Sequence, residues 1–390
     1  MSRGTDLVPP GRVVGVDVAR CVALVGMVAI HVIVVRDADG LTLAHRLAAG
    51  RASALFALLA GVSLALMSGR RTPLRGPQRR AVSAGLAGRA VIVAGVGLVL
   101  GELGTSIAVI LTYYGVLFLL ALPFLGLGAR ALALLASAWI VVVPVLSHLV
   151  RPALPGLRGP SPYLGDLDHP LSMLSELLLT GYYPALPWLG YLLAGMAVGR
   201  LDLSSRRAAA LLVAVGGLLA GAAATVSNAV LSRPDVLRVL ADSSLTTTVQ
   251  LRWELAEGLH GTTPAGGSWW WLLVGSPHSG TPVDLAHTIG TALLTLGLAL
   301  LVGRAMPRAA AVLAGAGAMT LTLYSLHVVL RSPGLLDADT GATFVWHLVI
   351  LLSIGAAYRL RGAQGPLEAL VARSHRVLAG LARGADARVR

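Results

Sequence analysis

The sequence is poor in charge and contains no lysine. Only 13% of its 390 residues are charged, whereas a soluble globular domain carries about 25%, and 56% are hydrophobic. All 31 basic residues are arginine, and the formal net charge is +13. Such a charge favours nucleic-acid binding only where basic residues gather on one folded face. Here the arginines separate long apolar runs, which excludes a soluble nucleic-acid-binding domain and indicates a membrane protein.

Cysteine and the common catalytic motifs are also scarce. The single cysteine, Cys21, lies in an apolar segment, which excludes an intramolecular disulfide and a cysteine metal cluster. The sequence contains no GxxxxGK[ST] phosphate loop, no HExxH zinc motif and no GxSxG nucleophile elbow. No two histidines are spaced i, i+4, so we expect no bound metal ion.

Ten apolar runs between polar or Pro/Gly-rich breaks are candidates for membrane spans. A helix of about 20 apolar residues crosses the hydrocarbon core of a bilayer, and these runs do not alternate in polarity as barrel strands do. We therefore predict an all-α fold, a polytopic integral membrane bundle of about ten transmembrane helices. The predicted helices cover residues 13–35, 47–68, 84–102, 106–126, 129–150, 183–200, 206–230, 284–303, 309–330 and 342–360.

Arginine is concentrated in alternate connections between these runs, above all in residues 69–89. Because arginine-rich connections stay in the cytoplasm, we predict that both termini are cytoplasmic. The connections 151–182 and 231–283 are then long extracytoplasmic loops of a single transmembrane domain, residues 1–362. The basic segment 363–390 is predicted either to lie on anionic lipid as an amphipathic helix or to be a solvated tail.

The first predicted helix carries polar side chains inside "GVDVARCVALVGMVAIHVIVV", residues 15–35. A charge at the centre of a span costs about 2.5–3.5 kcal/mol, so such groups face the bundle interior or a watery cavity. Asp17 and Arg20 are spaced i, i+3 near the predicted cytoplasmic end, whereas His31 lies about 21 Å beyond Asp17 along the axis. At 100° per residue, Asp17 and His31 point within about 40° of each other. One polar stripe is therefore predicted to cross the membrane.

Other polar candidates lie near the predicted outer face. The motif "YSLHVV" puts Tyr324 one turn before His327, and "PHSGTPVDLAHTIG" opens a predicted helix. The histidines that we expect to converge on one extracytoplasmic pocket are His31, His45, His278, His287 and His327. The other polar candidates at this face are Asp39, Ser279, Asp284 and Tyr324. Helix capping or contact with interfacial water is the structural alternative for each of them.

Several segments resemble a known family. "VDVARCVALVGMVAIHV" and "GRASALFALLAGVSLAL" resemble the opening helices of heparan-α-glucosaminide N-acetyltransferase-like transmembrane acyltransferases. "YYPALPWLGYLLAGMAVGRLDL", "GAGAMTLTLYSLHVV" and "GPLE" resemble the related bacterial YeiB-like proteins. The family pattern has an asparagine where His31 stands and a catalytic histidine in the following loop, where this chain offers His45. His327 matches the histidine of a late YxxH segment.

The resemblance implies a transmembrane acyltransferase that uses cytosolic acyl-CoA, with acetyl-CoA as the co-substrate. The acceptor would be a hydroxyl or amine of an extracytoplasmic sugar or lipid. Cytoplasmic polar residues would then bind the CoA phosphates, although membrane topology alone also explains the arginines. The residues expected at the donor are Asp17, Arg20, Arg70, Arg71 and Arg200.

The mechanism implied is transfer assisted by a histidine. His31 or His45 is the expected general base, because an unperturbed histidine titrates near pH 6.5, at about neutrality. An acetyl-histidine intermediate is the alternative. The supporting candidates are Asp39 and Asp284, which would orient the base, and Tyr324 and Ser279, which would donate to the oxyanion.

A transporter or flippase for a small molecule or lipid-linked substrate is the main rival, because polar groups inside spans also mark substrate pathways. A non-catalytic scaffold is a third interpretation. Against a transporter, the sequence has no evident inverted repeat and no acidic residue near the middle of a span. We expect a bacterial plasma-membrane protein with outward-facing histidines, in contact with membrane lipids. A second copy of the chain is a candidate partner.

Overall fold

The computed structural model describes residues 12–155, 159 and 161–388. These residues form the predicted all-α bundle, with one small hairpin of β1 (Arg36–Asp37) and β2 (Gly40–Leu41) after the first helix. In chain order the helices are α1 (Val14–Val32), α2 (Leu43–Ala48), α3 (Arg51–Met67), α4 (Gly76–Gly101), α5 (Leu111–Ala121), α6 (Ala129–Val150), α7 (Pro170–Ser175), α8 (Ala185–Gly199), α9 (Arg206–Leu231), α10 (Pro234–Ser243), α11 (Thr248–Glu257), α12 (Pro282–Ala305), α13 (Pro307–Gly317), α14 (Thr320–Leu330), α15 (Gly341–Leu360) and α16 (Pro366–Arg388). Short 3-10 helices cover Leu122–Gly126, Arg151–Ala153, Leu164–Asp168 and Trp269–Leu273, and a π-helical turn covers Glu176–Thr180.

Each of the ten predicted ranges corresponds to one helix or to two consecutive helices. Within the described residues, seven helices are long and apolar enough to cross a membrane. An eighth span results if α13 and α14, which meet at 63°, cross together as one broken helix. The remaining two ranges are shorter apolar helices, Leu111–Gly126 and Ala185–Gly199. The chain is therefore a helical integral membrane protein, while ten spans and cytoplasmic termini stay predictions.

Small residues allow helix backbones to touch inside the bundle. In the sequence "GRASALFALLAGVSLAL", Gly61 of α3 faces the Leu192 carbonyl of α8 so closely that a Cβ would clash with it. Gly317, at the end of α13, faces the Asp17 carbonyl of α1 in the same way. Close contact through small residues is the usual packing device of membrane helices. At Gly317 it brings the start of α14 beside α1, which positions the site described below.

The loop 231–283 has a small core of its own. The helix-like stretch predicted near residues 235–259 is present as α10 and α11. Their apolar faces pack around Trp271, which is 1% exposed and donates from its ring nitrogen to Ser243 Oγ at 3.0 Å. This packing holds the loop against α9 and α12.

The C-terminal segment is a helix that packs against the bundle. α16 lies along α4, where Gly85 and Gly88 leave room for the side chains of His375 and Leu378. Val371 is 3% exposed and buried in the main core. The boundary predicted at residue 362 stays a prediction, but one face of α16 is covered by protein and contributes to the site below.

Candidate functional site

The first turns of α1 hold a buried carboxylate between two guanidinium groups. Asp17 is 2% exposed, accepts a hydrogen bond from Arg20 Nη1 at 2.7 Å and pairs with Arg12. Nη2 of Arg20 donates to Ser63 Oγ of α3 at 2.6 Å. Asp17 therefore fixes the Arg20 guanidinium against α3, through the i, i+3 spacing seen in the sequence.

A cavity of about 500 Å³ begins beside Arg20 and is lined mainly by α1, α3, α4, α5, α14 and α16. We call its end at Arg20 the inner end and the opposite end, toward His31, the outer end. Arg89 and Arg376 also line the inner end, and the rest of the wall is mostly apolar. Arg89 lies over the Phe118 ring, 5.3 Å from its centre, and its Nε has no hydrogen-bond partner among the described residues. Because buried donors are normally paired, the inner end is suited to an anionic group of a ligand.

Glu368 of α16 closes the inner end and caps α14. Its Oε1 accepts hydrogen bonds from the backbone N–H groups of Leu321 at 2.8 Å and Thr322 at 3.1 Å. A carboxylate in this place satisfies amides that the helix itself leaves unpaired. On the same face of α16, burial lowers the pKa of His375. α16 thus fixes the start of α14, the helix that carries Tyr324 and His327.

Two histidines from different helices meet just beyond the outer end. Met27 of α1 and Tyr324 of α14 line the cavity, and His31 and His327 follow them by about one turn. His31 Nδ1 lies 3.1 Å from His327 Nε2, and the two rings are stacked with 8° between their planes. His31 is partly exposed, whereas His327 is fully buried. Along α1 the rise from Arg20 to His31 is about 16 Å.

A third histidine, His347 of α15, continues this series, and the sequence reasoning missed it. Its ring meets the His327 ring edge to face with 5.0 Å between the centres. Its Nδ1 lies 2.9 Å from the Thr343 carbonyl oxygen, and the side chain is fully buried. The available signal was a titratable residue inside an apolar span, which is a site hypothesis by default.

The other predicted histidines occupy two further places. His45 Nε2 lies 2.6 Å from the Glu257 carbonyl oxygen of α11, and His278 sits against the rings of Tyr182 and Tyr183. Burial lowers the pKa of His278 to about 4, and His260 and His45 act in the same direction. His287 instead accepts a hydrogen bond from Arg51 Nε at 3.2 Å. Of the five, His31 and His327 are in direct contact.

The remaining outer candidates have mainly local partners. Asp284, 3% exposed, accepts from the Gly280 N–H at 3.0 Å, and Ser279 Oγ donates to the Val274 carbonyl at 3.4 Å, so both hold the loop before α12. Asp39 is exposed in the turn between β1 and β2. Tyr324 differs, because it lines the cavity and its hydroxyl oxygen accepts from the Ile110 N–H at 3.4 Å.

The predicted donor-binding residues are divided between the cavity and the helix ends. Arg20 lines the cavity and is oriented by Asp17. Arg200 is 4% exposed and donates to five carbonyl oxygens and to Ser68 Oγ, joining the ends of α3 and α5. One of those carbonyls belongs to Arg70, and Arg71 lies 3.8 Å from Asp202. Arg70, Arg71 and Arg200 are not among the residues that line the cavity in the described part of the chain.

Sequence reasoning missed two charged residues of the cavity wall, Glu368 and Arg376, and it included Arg89 only as one of the charges in residues 69–89 that could bind CoA phosphates. Glu368 and Arg376 reach the wall only because α4 and α16 pack together, and a basic segment at the end of a chain gives no signal of such packing. Across residues 12–155, 159 and 161–388, no group of three or more His, Cys, Asp or Glu side chains is arranged to hold a metal ion.

One comparison with known proteins gives a match. A family model described as heparan-alpha-glucosaminide N-acetyltransferase, catalytic, matches residues 12–232, which is more than half of the chain. The matched range begins before α1 and ends after α9, so it includes Arg20, His31 and Arg89 but not α14, α15 or α16. None of the curated proteins compared with the chain matches it.

Proposed function

The chain belongs to the heparan-alpha-glucosaminide N-acetyltransferase catalytic family and is a membrane acetyltransferase, and we propose that it passes an acetyl group from cytosolic acetyl-CoA to an extracytoplasmic acceptor. The acceptor group is a hydroxyl or amine of a glycan or lipid, and the membrane is the bacterial plasma membrane. One observation carries the proposal. One cavity leads from two half-buried arginines and an exposed one to a histidine pair about one turn beyond its outer end.

The inner end suits the phosphates of CoA. Arg20 and Arg89 bring two guanidinium groups to one wall, and Arg376 adds a third from α16. Guanidinium forks bind phosphate oxygens well because they donate two parallel hydrogen bonds. The mostly apolar wall beyond them suits the pantetheine arm, with the thioester directed toward Tyr324 and His31.

The outer end suits acyl transfer. The acceptor oxygen or nitrogen attacks the thioester carbonyl while His31 takes its proton. Tyr324 accepts from a backbone amide, which leaves its own hydrogen to donate to the carbonyl oxygen as charge develops there. The carbon–sulfur bond then breaks, and the CoA thiolate leaves with the proton that His31 received. We favour His31 over His45 because His45 is held by a carbonyl of α11.

An acetyl-histidine intermediate remains the alternative route. In that route His31 attacks the thioester first, and the acceptor then attacks the acetylated ring. Incubation with labelled acetyl-CoA in the absence of acceptor separates the two routes. A labelled His31 peptide supports the intermediate, whereas an unlabelled protein that still turns over with acceptor supports direct transfer.

The broken span formed by α13 and α14 favours one second candidate, a transporter. Interrupted helices inside a membrane often line substrate pathways, and here the break at Ala318 lies on the cavity wall. A transporter would move its substrate without chemical change, so the products distinguish the two functions. We expect free CoA and an acetylated acceptor rather than intact acetyl-CoA in a second compartment.

The donor site is tested with purified protein in nanodiscs. CoA and acetyl-CoA should raise the melting temperature, and ATP or pantetheine at the same concentration should not. Arg89→Gln should reduce the stabilisation by CoA, whereas Arg308→Gln, at an exposed arginine in the first turn of α13, should leave it unchanged. No response to CoA or acetyl-CoA at millimolar concentration would contradict the proposal and favour the transporter.

The acceptor is tested in cells. Mass spectrometry of envelope glycans and lipids from a deletion strain should show one acetyl group missing from a defined species. Restoring the wild-type gene should return that group, and restoring His31→Ala should not. An unchanged envelope profile would contradict an envelope acceptor.

A further inference from the structure

Three imidazole rings from three helices stand in series at the outer end. The order is His31 on α1, His327 on α14 and His347 on α15, and each ring contacts the next. Exposure decreases along the series, because His31 is partly exposed while both others are 0% exposed. A neutral imidazole has one donor nitrogen and one acceptor nitrogen, so the hydrogen position on one ring constrains the next.

The series has a fixed starting point at His347. Its Nδ1 lies 2.9 Å from the Thr343 carbonyl oxygen, which can only accept a hydrogen bond. The ring hydrogen is therefore on Nδ1, and Nε2 carries the lone pair. Because the carbonyl belongs to the preceding turn of the same helix, α15 itself sets this tautomer.

The next link is the contact between His347 and His327. His347 Nε2 and His327 Nδ1 are both buried, and neither has a hydrogen-bond partner in the described part of the chain. They belong to rings that touch edge to face. These two atoms do not hydrogen-bond to each other, so their relation is electrostatic. A hydrogen on His327 Nδ1 would place a donor on the ring beside the lone pair of His347, whereas the other tautomer would bury two lone pairs there with no ring donor. The nearby Arg331 donates through Nη1 to the Asp337 carbonyl and through Nη2 to Asp339 Oδ1, and its Nε is buried without a partner in the described part of the chain.

The last link sets the state of His31. With its hydrogen on Nδ1, His327 accepts at Nε2, which lies 3.1 Å from His31 Nδ1. His31 then donates from Nδ1, and its Nε2 keeps the lone pair. We infer that His347 is a positioning residue that acts through His327, an inference that rests on the proposed function. It holds His31 in the tautomer whose Nε2 is free to take the proton from the attacking hydroxyl or amine. No proton has to travel along the series.

The inference is tested with two substitutions at one position. His347→Leu fills the space but offers no acceptor to His327, whereas His347→Gln can present its amide oxygen near the place of Nε2. His148→Leu is the matched control, because His148 is also a buried histidine but lies on α6, outside the series. All variants are compared as full-length protein in nanodiscs, with melting temperatures to establish that each is folded.

Two readouts are used, and only one of them needs turnover. In His347→Leu, kcat should fall by about 10²-fold with the KM for acetyl-CoA unchanged, because a base in the wrong tautomer still allows donor binding. His347→Gln should recover most of the lost rate. Independently, diethyl pyrocarbonate acylates imidazole nitrogens that carry a free lone pair. Its reaction at His31, measured by peptide mass spectrometry relative to the exposed His169, should slow in His347→Leu and recover in His347→Gln.

The outcomes separate this inference from the proposed function. Equal kcat and equal His31 labelling in wild type and folded His347→Leu would overturn the tautomer series, even if acetyl transfer is confirmed. A wild type without acetyl transfer would overturn the proposed function, while the labelling of His31 would still decide the tautomer. If His347→Gln is as impaired as His347→Leu in both readouts, an acceptor at Nε2 is not what matters, and the inference is wrong.

Discussion

The two ends of the cavity differ in how their side chains act, since the arginines at the inner end act together on one ligand and the histidines at the outer end act one through another. At the inner end three arginines come from α1, α4 and α16, and Arg376 is exposed to solvent. At the outer end single histidines follow one another, and two of the three are fully buried. Parallel charges can substitute for one another in holding a polyanionic ligand, whereas rings in series cannot. Substitutions at the inner end should therefore have graded effects, and substitutions at the outer end severe ones.

The largest effect should come from the outer end, at His31. His31→Ala removes the proposed base, so kcat should fall by about 10²- to 10⁴-fold while acetyl-CoA affinity stays near wild type. Steady-state kinetics with calorimetric binding measures both quantities. His169→Ala, at an exposed position between α6 and α7, should keep wild-type values. A His31→Ala enzyme with wild-type kcat would contradict the assignment of His31 as the general base.

Acid should weaken the loop before α12, which carries His278, before it weakens the cavity walls. The folded pKa of His278 is about 4, below the ordinary value near 6.5, because burial disfavours the charged ring. As the pH falls, His278 therefore binds a proton in the unfolded chain before it does so in the folded chain. Its contribution to the free energy of unfolding is fully present above about pH 6.5. The free energy of unfolding should then fall by about 3 kcal/mol as the pH drops to about 4, and His278 should cause no further decrease below that pH.

Hydrogen–deuterium exchange between pH 7 and pH 4 measures this loss by region. Residues 274–281 should lose protection before α4 does. His278→Asn suits the left-handed backbone at this position, where φ is +57°, and it cannot titrate. This variant should show a flatter pH dependence of stability. Simultaneous loss of protection in residues 274–281 and in α4, unchanged in His278→Asn, would contradict the role of His278.

A graded effect is expected at the inner end. Arg89→Gln should weaken acetyl-CoA binding by about tenfold, equivalent to about 1.4 kcal/mol, because one charge-assisted contact is lost. The double variant with Arg376→Gln should lose roughly another tenfold, and kcat should stay near wild type in both. Isothermal titration gives the affinities, with Arg308→Gln as the control. A single variant that abolishes acetyl-CoA binding would show that the arginines cannot substitute for one another.

The smallest effect should come from the contact that joins the two ends. Glu368→Gln weakens the cap on α14, which should lower the melting temperature by about 2 °C. A modest decrease in kcat should accompany it, because α14 carries Tyr324 and His327. Glu102 provides a matched control, since it also accepts from a backbone amide, that of Leu164. Glu102→Gln should leave kcat unchanged, and an inactive Glu368→Gln would show that the two ends are not independent.

The sequence predicts local order well and tertiary partners poorly. Apolar length located all ten helical ranges, because each helix has to satisfy its own backbone hydrogen bonds inside a membrane. Helical periodicity also placed Asp17 and His31 on one stripe of α1, and Arg20 and Met27 of that stripe line the cavity. What periodicity cannot show is which helix lies opposite that stripe.

The residues that were missed share this cause. His347 belongs to the outer series only because α15 lies beside α14, and Arg376 reaches the cavity only because α16 packs on α4. Arg200 illustrates the reverse case. Its position at a predicted cytoplasmic boundary suggested a phosphate ligand, but its guanidinium is surrounded by carbonyl oxygens at the ends of neighbouring helices. Those oxygens come from segments distant in sequence, so no local sequence pattern predicts them.

The central claim is that one donor molecule extends from the arginines at the inner end to His31. The most direct measurement uses bromoacetyl-CoA, in which the nucleotide binds as in acetyl-CoA while the reactive carbon stands where the acetyl group would be. A donor bound in this way should alkylate His31, as found by peptide mass spectrometry, with protection by CoA and slower labelling in Arg89→Gln. Alkylation of His375 at the inner end, with His31 unmodified, would contradict it.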